Sequence, residues 1–556
     1  MGPCVLAPRS NTSHSLSLSL LAPVCPWDRA QHSRGAMSVV TVQVGQCGNQ
    51  LGASLFQALH DHANQPPPHH GHTSGTESER ARSACRQSFF RDGGVARAVI
   101  IDTEPKVIQR IVATRGRAEE SSGAGARRAA GGRESAYGKT AQRRTNTTDG
   151  GGSRGGGWRY DSGTQVCCHA QGGAANNWAY GYHAHGATFS EACLEGVRRE
   201  TERCDRLTGL CILHSLAGGT GSGLGTCLTE ALRDELPSAF LLNTVVGAHS
   251  SGEVILQNYN TLFTLSKLAK CSDGVLVVEN DAATAVCRKL LRLERPSHTD
   301  LNEVICSSLV GALTPTTTAT TAPAASASAM GTGVGQGGGG EGGGMLLHLG
   351  DKLAHLCPNK DFVFLRASIV PQIPDGSRAF TRNTWEALTR RAYQMHITGS
   401  PAELDLDWRK KAFYGAGAGE SWWSAVVACV GLNQSVASLL TFHGTPVGGS
   451  GATQPSPPPP PAECFRSRGL YAGWSPTPLM ECRSPLRLHG HERAISLLSN
   501  SQAVLGVLET AAGRSRDMFS AGAYVHQYAQ FGAEREDFEE AFLGVEQAVE
   551  NYRSLG

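Results

Sequence analysis

Seven residues, Ala217-Gly218-Gly219-Thr220-Gly221-Ser222-Gly223, separate an apolar run of strand character, Leu210 to Leu216, from a segment where Leu224, Leu228, Leu232 and Leu236 recur at helical spacing. A glycine-rich turn that ends a strand and opens a helix directs backbone N–H groups and the positive end of a helix dipole at one point, a cradle for phosphate. Read alone, the run would also suit a flexible linker; its ordered flanks argue against that. No lysine follows the last glycine, so the run is neither GxxxxGK[ST] nor GxGxxG. The charge of bound phosphates would then be met by amides and a metal ion.

The flanking pattern repeats along the chain. Ser38 to Val44 is dense in β-branched residues, and after the turn Gly45-Gln46-Cys47-Gly48-Asn49-Gln50 the residues Leu51, Leu55, Phe56 and Leu59 take helical spacing. Arg97 to Ile101, Phe240 to Val246 and Gly274 to Val278 read as further strands. Glu191 to Cys204, Gly223 to Leu236, Leu256 to Ala269 and Ala282 to Leu293 read as helices. Such alternation predicts an α/β fold with a doubly wound, mostly parallel sheet, whose ligands sit outside the carboxyl ends of the strands. The polar motifs fall at those ends. Strands at Phe362 to Val370 and Ala425 to Leu432, with a helix around Asn383 to Met395, predict a smaller second α/β domain. An apolar stripe of Phe538, Phe542, Val545, Val549 and Tyr552 predicts a final helix packed on the body of the protein.

With 556 residues the chain exceeds a single core, but much of its 67 Gly and 26 Pro lies in four tracts, Asn64 to Cys85, Thr114 to Gly157, Thr314 to Gly344 and Gly444 to Pro461. Without apolar periodicity, these are expected to be surface insertions or disordered. The expected organisation is a leader over 1–36, a nucleotide-binding domain over 37–298 with insertions near 64–85 and 114–157, a core helix and intermediate domain over 299–514 with insertions near 314–344 and 444–461, and a helical region over 515–556. A strand starting directly after Met37 suggests that residues 1–36 are a disordered arm or an artefact ahead of the natural start. A net charge of +2 gives no reason to invoke nucleic acid or an anionic membrane, and no apolar run is long enough to span a bilayer. Seventeen cysteines, an odd number, look like free thiols and not a disulfide framework.

Four motifs stand in a fixed order: Gln46-Cys47-Gly48-Asn49-Gln50, Asp102-Thr103-Glu104-Pro105, Ala175-Asn176-Asn177 and Ala217 to Gly223. That ordered set resembles the tubulin superfamily, from Met37 to the C-terminus. Within it, Gly252 to Asn260, His355-Leu356-Cys357-Pro358 and Tyr524-Val525-His526-Gln527-Tyr528 resemble the delta branch most. Ala217 departs from the family, whose signature begins with glycine. The resemblance implies GTP or GDP with Mg²⁺, a hard cation suited to oxygen ligands. It implies Glu104 and Asp102 at the metal, Asp102 being equally readable as a turn residue. Amides or hydroxyls of Ser215, Gly218, Gly219, Thr220, Gly221 and Ser222 would meet the phosphates. Gln46, Gln50, Asn176, Glu253, Asn280 and Asn302 would contact the nucleotide, with Gln46 and Gln50 facing phosphates and base and Asn280 and Asn302 at ribose and base, where asparagine carboxamides both donate and accept at a guanine edge. His298 would replace a stacking tyrosine, and Cys47 would border the pocket as a small structural thiol. In this family an acidic residue at a helix start of one subunit completes hydrolysis on the next; the matching position is Asp351, which a helix-capping role suits equally well.

The expected function is that of a GTP-binding cytoskeletal protein of centrioles, basal bodies and cilia or flagella, with other tubulins, such as the alpha/beta heterodimer or centriolar tubulins, and centriolar proteins as partners. The alternative is a GTP-dependent binding module that does not polymerise and recruits centriolar partners. A nicotinamide dehydrogenase on a similar sheet lacks a GxGxxG after its first strand.

Overall fold

The computed structural model describes residues 37–66, 72–113, 157–167, 173–250, 252, 254–319, 344–381, 383–406, 432–444 and 462–555. Twelve strands form one sheet: β1 (Met37–Val44), β2 (Ala98–Asp102), β3 (Gln165–Cys167), β4 (Arg206–Ser215), β5 (Phe240–Gly247), β6 (Gly274–Glu279), β7 (Thr316–Thr318), β8 (Leu346–Leu347), β9 (Phe364–Val370), β10 (Ser435–His443), β11 (Leu479–Ser484) and β12 (Ala494–Ser501). The helices that matter below are α1 (Gly45–Ala63), α2 (His72–Phe89), α3 (Gly186–Thr201), α4 (Gly225–Glu235), α5 (Gln257–Cys271), α6 (His298–Leu313), α7 (Leu349–Leu356), α8 (Trp385–Thr398), α9 (Leu505–Ser520) and α10 (Arg535–Arg553).

The spatial order is β8-β7-β11-β10-β12-β9-β6-β5-β4-β1-β2-β3. From β9 to β3 every neighbouring pair is parallel, and beyond β9 antiparallel pairs enter through β12. The chain leaves β1 for β2 on one side and returns to β4 on the other. The crevice beyond the carboxyl ends of β1, β2 and β4 is therefore the topological switch point of the sheet.

β1 serves two cores because its side chains alternate between faces. Val40, Val42 and Val44 pack with Leu210, Ile212, Leu224 and Leu228, while Val39 joins Leu51, Leu55 and Phe56 of α1. On the α1 side the approach is close enough that a Cβ on Gly48 would lie 2.1 Å from the Leu213 carbonyl oxygen. A third core holds α10 against α5, with the Tyr259 and Phe538 rings 5.0 Å apart. The stripe Phe538, Phe542, Val545, Val549 and Tyr552 is buried there. Its far end is fixed by Tyr552, whose hydroxyl accepts from the Phe364 N–H at 2.9 Å and donates to Asn500 Oδ1 at 2.7 Å.

Two of the four tracts carry regular structure. Within Asn64 to Cys85, α2 begins at His72 and packs against α1 with Cys85 and Phe89 buried. The inward stripe of α2 runs Ser78, Arg82, Cys85, Phe89. Its first half is polar, with Arg82 donating to the Gln65 carbonyl at 3.2 Å, so no apolar period shows. Likewise the tract from Thr314 opens with a strand, β7, paired to β8 and β11. Most of the strand expected at Ala425 to Leu432 lies outside the described residues. The strand that follows, β10, is buried at all nine positions and carries serine, threonine and histidine, which hid it from a hydrophobic reading.

Burial holds His62, His214 and His396 neutral, each pulled down to about 4. The unfolded chain takes up these protons near pH 6.5, so the stability involved is present above pH 6.5 and is lost as pH falls from 6.5 toward 4. For His214 alone the loss between pH 7 and pH 5 is roughly 2 kcal/mol. Urea unfolding at the two pH values is expected to show it, and His214→Gln to flatten the pH slope; an unchanged slope would refute the assignment.

Candidate functional site

A cavity of about 390 Å³ opens at the switch point, within the size range of nucleotide and cofactor pockets. Its floor is made by two helix starts. Gly45 leaves β1 with φ +72°, a conformation that costs glycine nothing and lets α1 begin at once. Neither α1 nor the turn Thr220–Leu224 that leads into α4 has a side-chain cap, and neither carries an acidic residue in its first turn. Their first N–H groups and positive dipole ends are thus left for an anion.

The loops pack too tightly for larger residues. A Cβ on Gly219 would stand 2.6 Å from the Ala174 carbonyl oxygen, and one on Gly221 would be 3.1 Å from the Ser215 nitrogen. Ala217, the departure from glycine, does not occupy the left-handed region, so its methyl group is compatible with the turn. Ala175 and Asn176 do, at φ +48° and +53°. Asn260 on α5 holds these loops in place. Its Nδ2 donates to the carbonyls of Asn176 (2.8 Å) and Ala217 (2.7 Å), and its Oδ1 accepts from the Trp178 N–H (2.8 Å) and the Tyr528 hydroxyl (2.6 Å).

Of the residues expected at the site, Gln46, Cys47, Gln50, Asp102, Glu104, Asn176, Ser215, Gly218, Gly219, Thr220, Gly221, Asn280, His298 and Asn302 all line this one cavity. The carboxamide of Asn280 donates to the Gly247 carbonyl at 2.9 Å, and Asn302 has no side-chain partner among the described residues. His298 stands at the first turn of α6, behind the capping box of Ser297 and Asp300. The Ser215 hydroxyl oxygen accepts from the Ala217 N–H at 3.0 Å and shapes the turn. The neighbourhood of Cys47 pushes its thiol up to about 11 by burial, which leaves no thiolate at neutral pH and suits a structural role.

Asp102 is buried, and its carboxylate accepts from the Thr103 N–H (2.9 Å), the Glu104 N–H (3.4 Å) and Asn49 Nδ2 (3.3 Å). Burial raises its pKa against the pull of those donors. It organises the acidic loop. Glu104, by contrast, is exposed at the cavity, and its carboxylate has no hydrogen-bond partner among the described residues.

Two of the expected residues stand elsewhere, and a third falls outside the described part of the chain. Ser222 is buried beneath the loop, its hydroxyl donating to the Gly218 carbonyl. Glu253 lies outside the described residues. Asp351 is on α7, away from the cavity, and its carboxylate caps that helix by accepting from the His348 N–H at 2.8 Å. Sequence reasoning missed Thr103, Gly173, Ala174 and the apolar walls Val107, Val246 and Leu301. Of these only Thr103, inside the acidic motif, carried a visible signal. Among the described residues no lysine or arginine lines the cavity.

Residues 38–148 and 157–288 match the Tubulin/FtsZ family, GTPase domain. The chain is 32% identical over 528 residues to the tubulin delta chain of Mus musculus, covering 94% of this chain and 100% of that one. It is also 32% identical over 530 residues to the tubulin delta chain of Homo sapiens, covering 93% of this chain and 100% of that one. To the tubulin beta-1 chain of Homo sapiens the identity is 23% over 527 residues, with 93% and 94% covered. With relatives 32% identical and matched along their whole length, and with the GTPase-domain match over the segments that build the cavity, the chain belongs to the tubulin family of GTP-binding cytoskeletal proteins.

Proposed function

We propose that the cavity holds GTP or GDP with Mg²⁺, and that the protein acts as a delta-type tubulin in building the microtubules of centrioles and basal bodies. One observation carries the nucleotide reading: two uncapped helix starts and several carboxamides converge on one cavity that, among the described residues, has no lysine or arginine in its lining. The phosphates face the amides of Gln46 and Cys47 and of Gly218 to Gly221, with the Thr220 hydroxyl among them. The base lies toward Asn280 and Asn302, between Val246, Leu301 and the ring of His298. His298 supplies a smaller stacking face than a tyrosine.

The residues present fit a hard divalent cation. Among the described residues two carboxylates and no lysine or arginine border the phosphate loops, and the carboxylate of Glu104 is free to ligate while that of Asp102 is engaged in the turn. When bound, Mg²⁺ supplies the positive charge that a P-loop takes from lysine. Hydrolysis, on this reading, needs a neighbouring subunit, whose cavity would receive Asp351 from α7.

The names of the similar delta chains support assembly with other tubulins. A module that binds GTP and recruits centriolar proteins without polymerising uses the same cavity, and assembly is the property that separates the two.

Thr220→Val removes a phosphate hydroxyl and Asn302→Ala a base contact; each is expected to lower GTP affinity at least tenfold by calorimetry, and unchanged affinity in both would refute the site. Chelation of Mg²⁺, or Glu104→Gln, is expected to weaken GTP more than GDP, the triphosphate carrying the larger charge; equal effects on the two nucleotides would remove the metal from Glu104. With GTP the protein is expected to sediment together with alpha/beta heterodimer and, tagged in ciliated cells, to mark centrioles. Failure to cosediment with centriolar staining retained would favour the recruiting module.

A further inference from the structure

Thr103 lies between the two acidic residues of its loop, lines the cavity and is almost fully buried at 1% exposure. Its hydroxyl oxygen is 2.9 Å from that of Thr220, across a gap of 117 residues in sequence. Among the described residues this is the only hydrogen bond its side chain makes. A buried hydroxyl proton needs an acceptor, so the direction that satisfies Thr103 is donation to Thr220. Thr220 then accepts with its oxygen and keeps its own proton, on a partly exposed hydroxyl at the mouth of the glycine turn. The acidic loop is otherwise held from within, by Asp102 accepting from the N–H groups of Thr103 and Glu104, and from α1, by Asn49 Nδ2 donating to Asp102. The hydroxyl pair is therefore its direct tie to the glycine turn.

We propose that Thr103 is a positioning residue that couples the phosphate seat to the metal-side carboxylate through a relay, Thr103 O–H to Thr220 O–H to a phosphate oxygen. The inference rests on the reading of the cavity as a GTP site. Donation from Thr220 to an oxyanion polarises its hydroxyl and makes its oxygen a better acceptor from Thr103, since hydrogen bonds in a chain strengthen one another. Occupation of the phosphate seat thereby fixes the backbone of Thr103, and with it the adjoining Glu104. Conversely, a loop held by Thr103 presents Glu104 with less ordering to be done when the metal arrives. No bond is broken or formed covalently, and no proton leaves its oxygen.

The test uses the full chain, purified free of nucleotide, with GTP and GDP titrated by calorimetry at saturating and chelated Mg²⁺. Thr103→Val keeps shape and burial but has no proton to donate; Thr103→Ser keeps the hydroxyl. Thr103→Val is expected to shrink the enhancement of GTP affinity by Mg²⁺ about tenfold while leaving GDP affinity in chelator within twofold, and Thr103→Ser to restore the enhancement. A thermal melt of the nucleotide-free variants reports folding independently of the ligand. An enhancement unchanged in a folded Thr103→Val overturns the relay and leaves the GTP site standing. Loss of GDP binding in chelator to the same extent as GTP binding with Mg²⁺ overturns it too, because Thr103 would then serve the seat as a whole. Wild-type protein that binds neither nucleotide overturns both the site and the relay.

Discussion

Everything at the switch point depends on the side chain of Asn260. It is fully buried, and its two polar atoms take four partners, the carbonyls of Asn176 and Ala217, the Trp178 N–H and the Tyr528 hydroxyl. These join segments far apart in sequence: the asparagine loop, the glycine turn, α5 and the C-terminal region. A carboxamide is the one neutral side group that can donate twice and accept twice at this spacing. Because an unsatisfied buried polar group costs about 1–3 kcal/mol, the arrangement is held to a narrow set of loop positions. The strained φ of Ala175 and Asn176 persists inside that frame.

The frame also explains how a cavity lined, among the described residues, by two carboxylates and no lysine or arginine can receive a polyanion. Attraction comes from N–H groups that folding leaves without partners at the starts of α1 and of the turn before α4. Such donors are fixed before the ligand arrives and need no rearrangement. The carboxylates then divide the work according to their surroundings. Asp102 spends its oxygens on the loop itself, whereas Glu104 faces open space. Sequence alone could not assign those parts, since both are acids two residues apart.

What was legible in the sequence follows from which forces write themselves locally. β1, β4, β5 and β6 are dense in β-branched and aliphatic residues, and each ends in a polar motif, so both the parallel sheet and the position of its ligand crevice could be read in advance. α2 and β10 could not. Their inward faces are partly serine, arginine, threonine or histidine, made tolerable in the interior by tertiary partners such as the Gln65 carbonyl for Arg82 and the Ser496 hydroxyl, 2.8 Å away, for His443. Asn260 was visible only as part of a resembling stretch; its role depends on atoms contributed by four distant segments. Thr103 sat inside a recognised motif, yet nothing local showed that its partner would be Thr220.

The sheet is continuous but unevenly stitched. β4 and β5 are joined by seven register pairs, whereas β6 and β9 share two, Val275 with Phe364 and Leu276 with Leu365. The line between β6 and β9 also divides the strands that surround the cavity from the antiparallel strands beyond β12. A short ladder offers less resistance to shear than a long one, so the join between β6 and β9 is a softer seam than the longer ladders that tie β1, β2 and β4 beside the cavity.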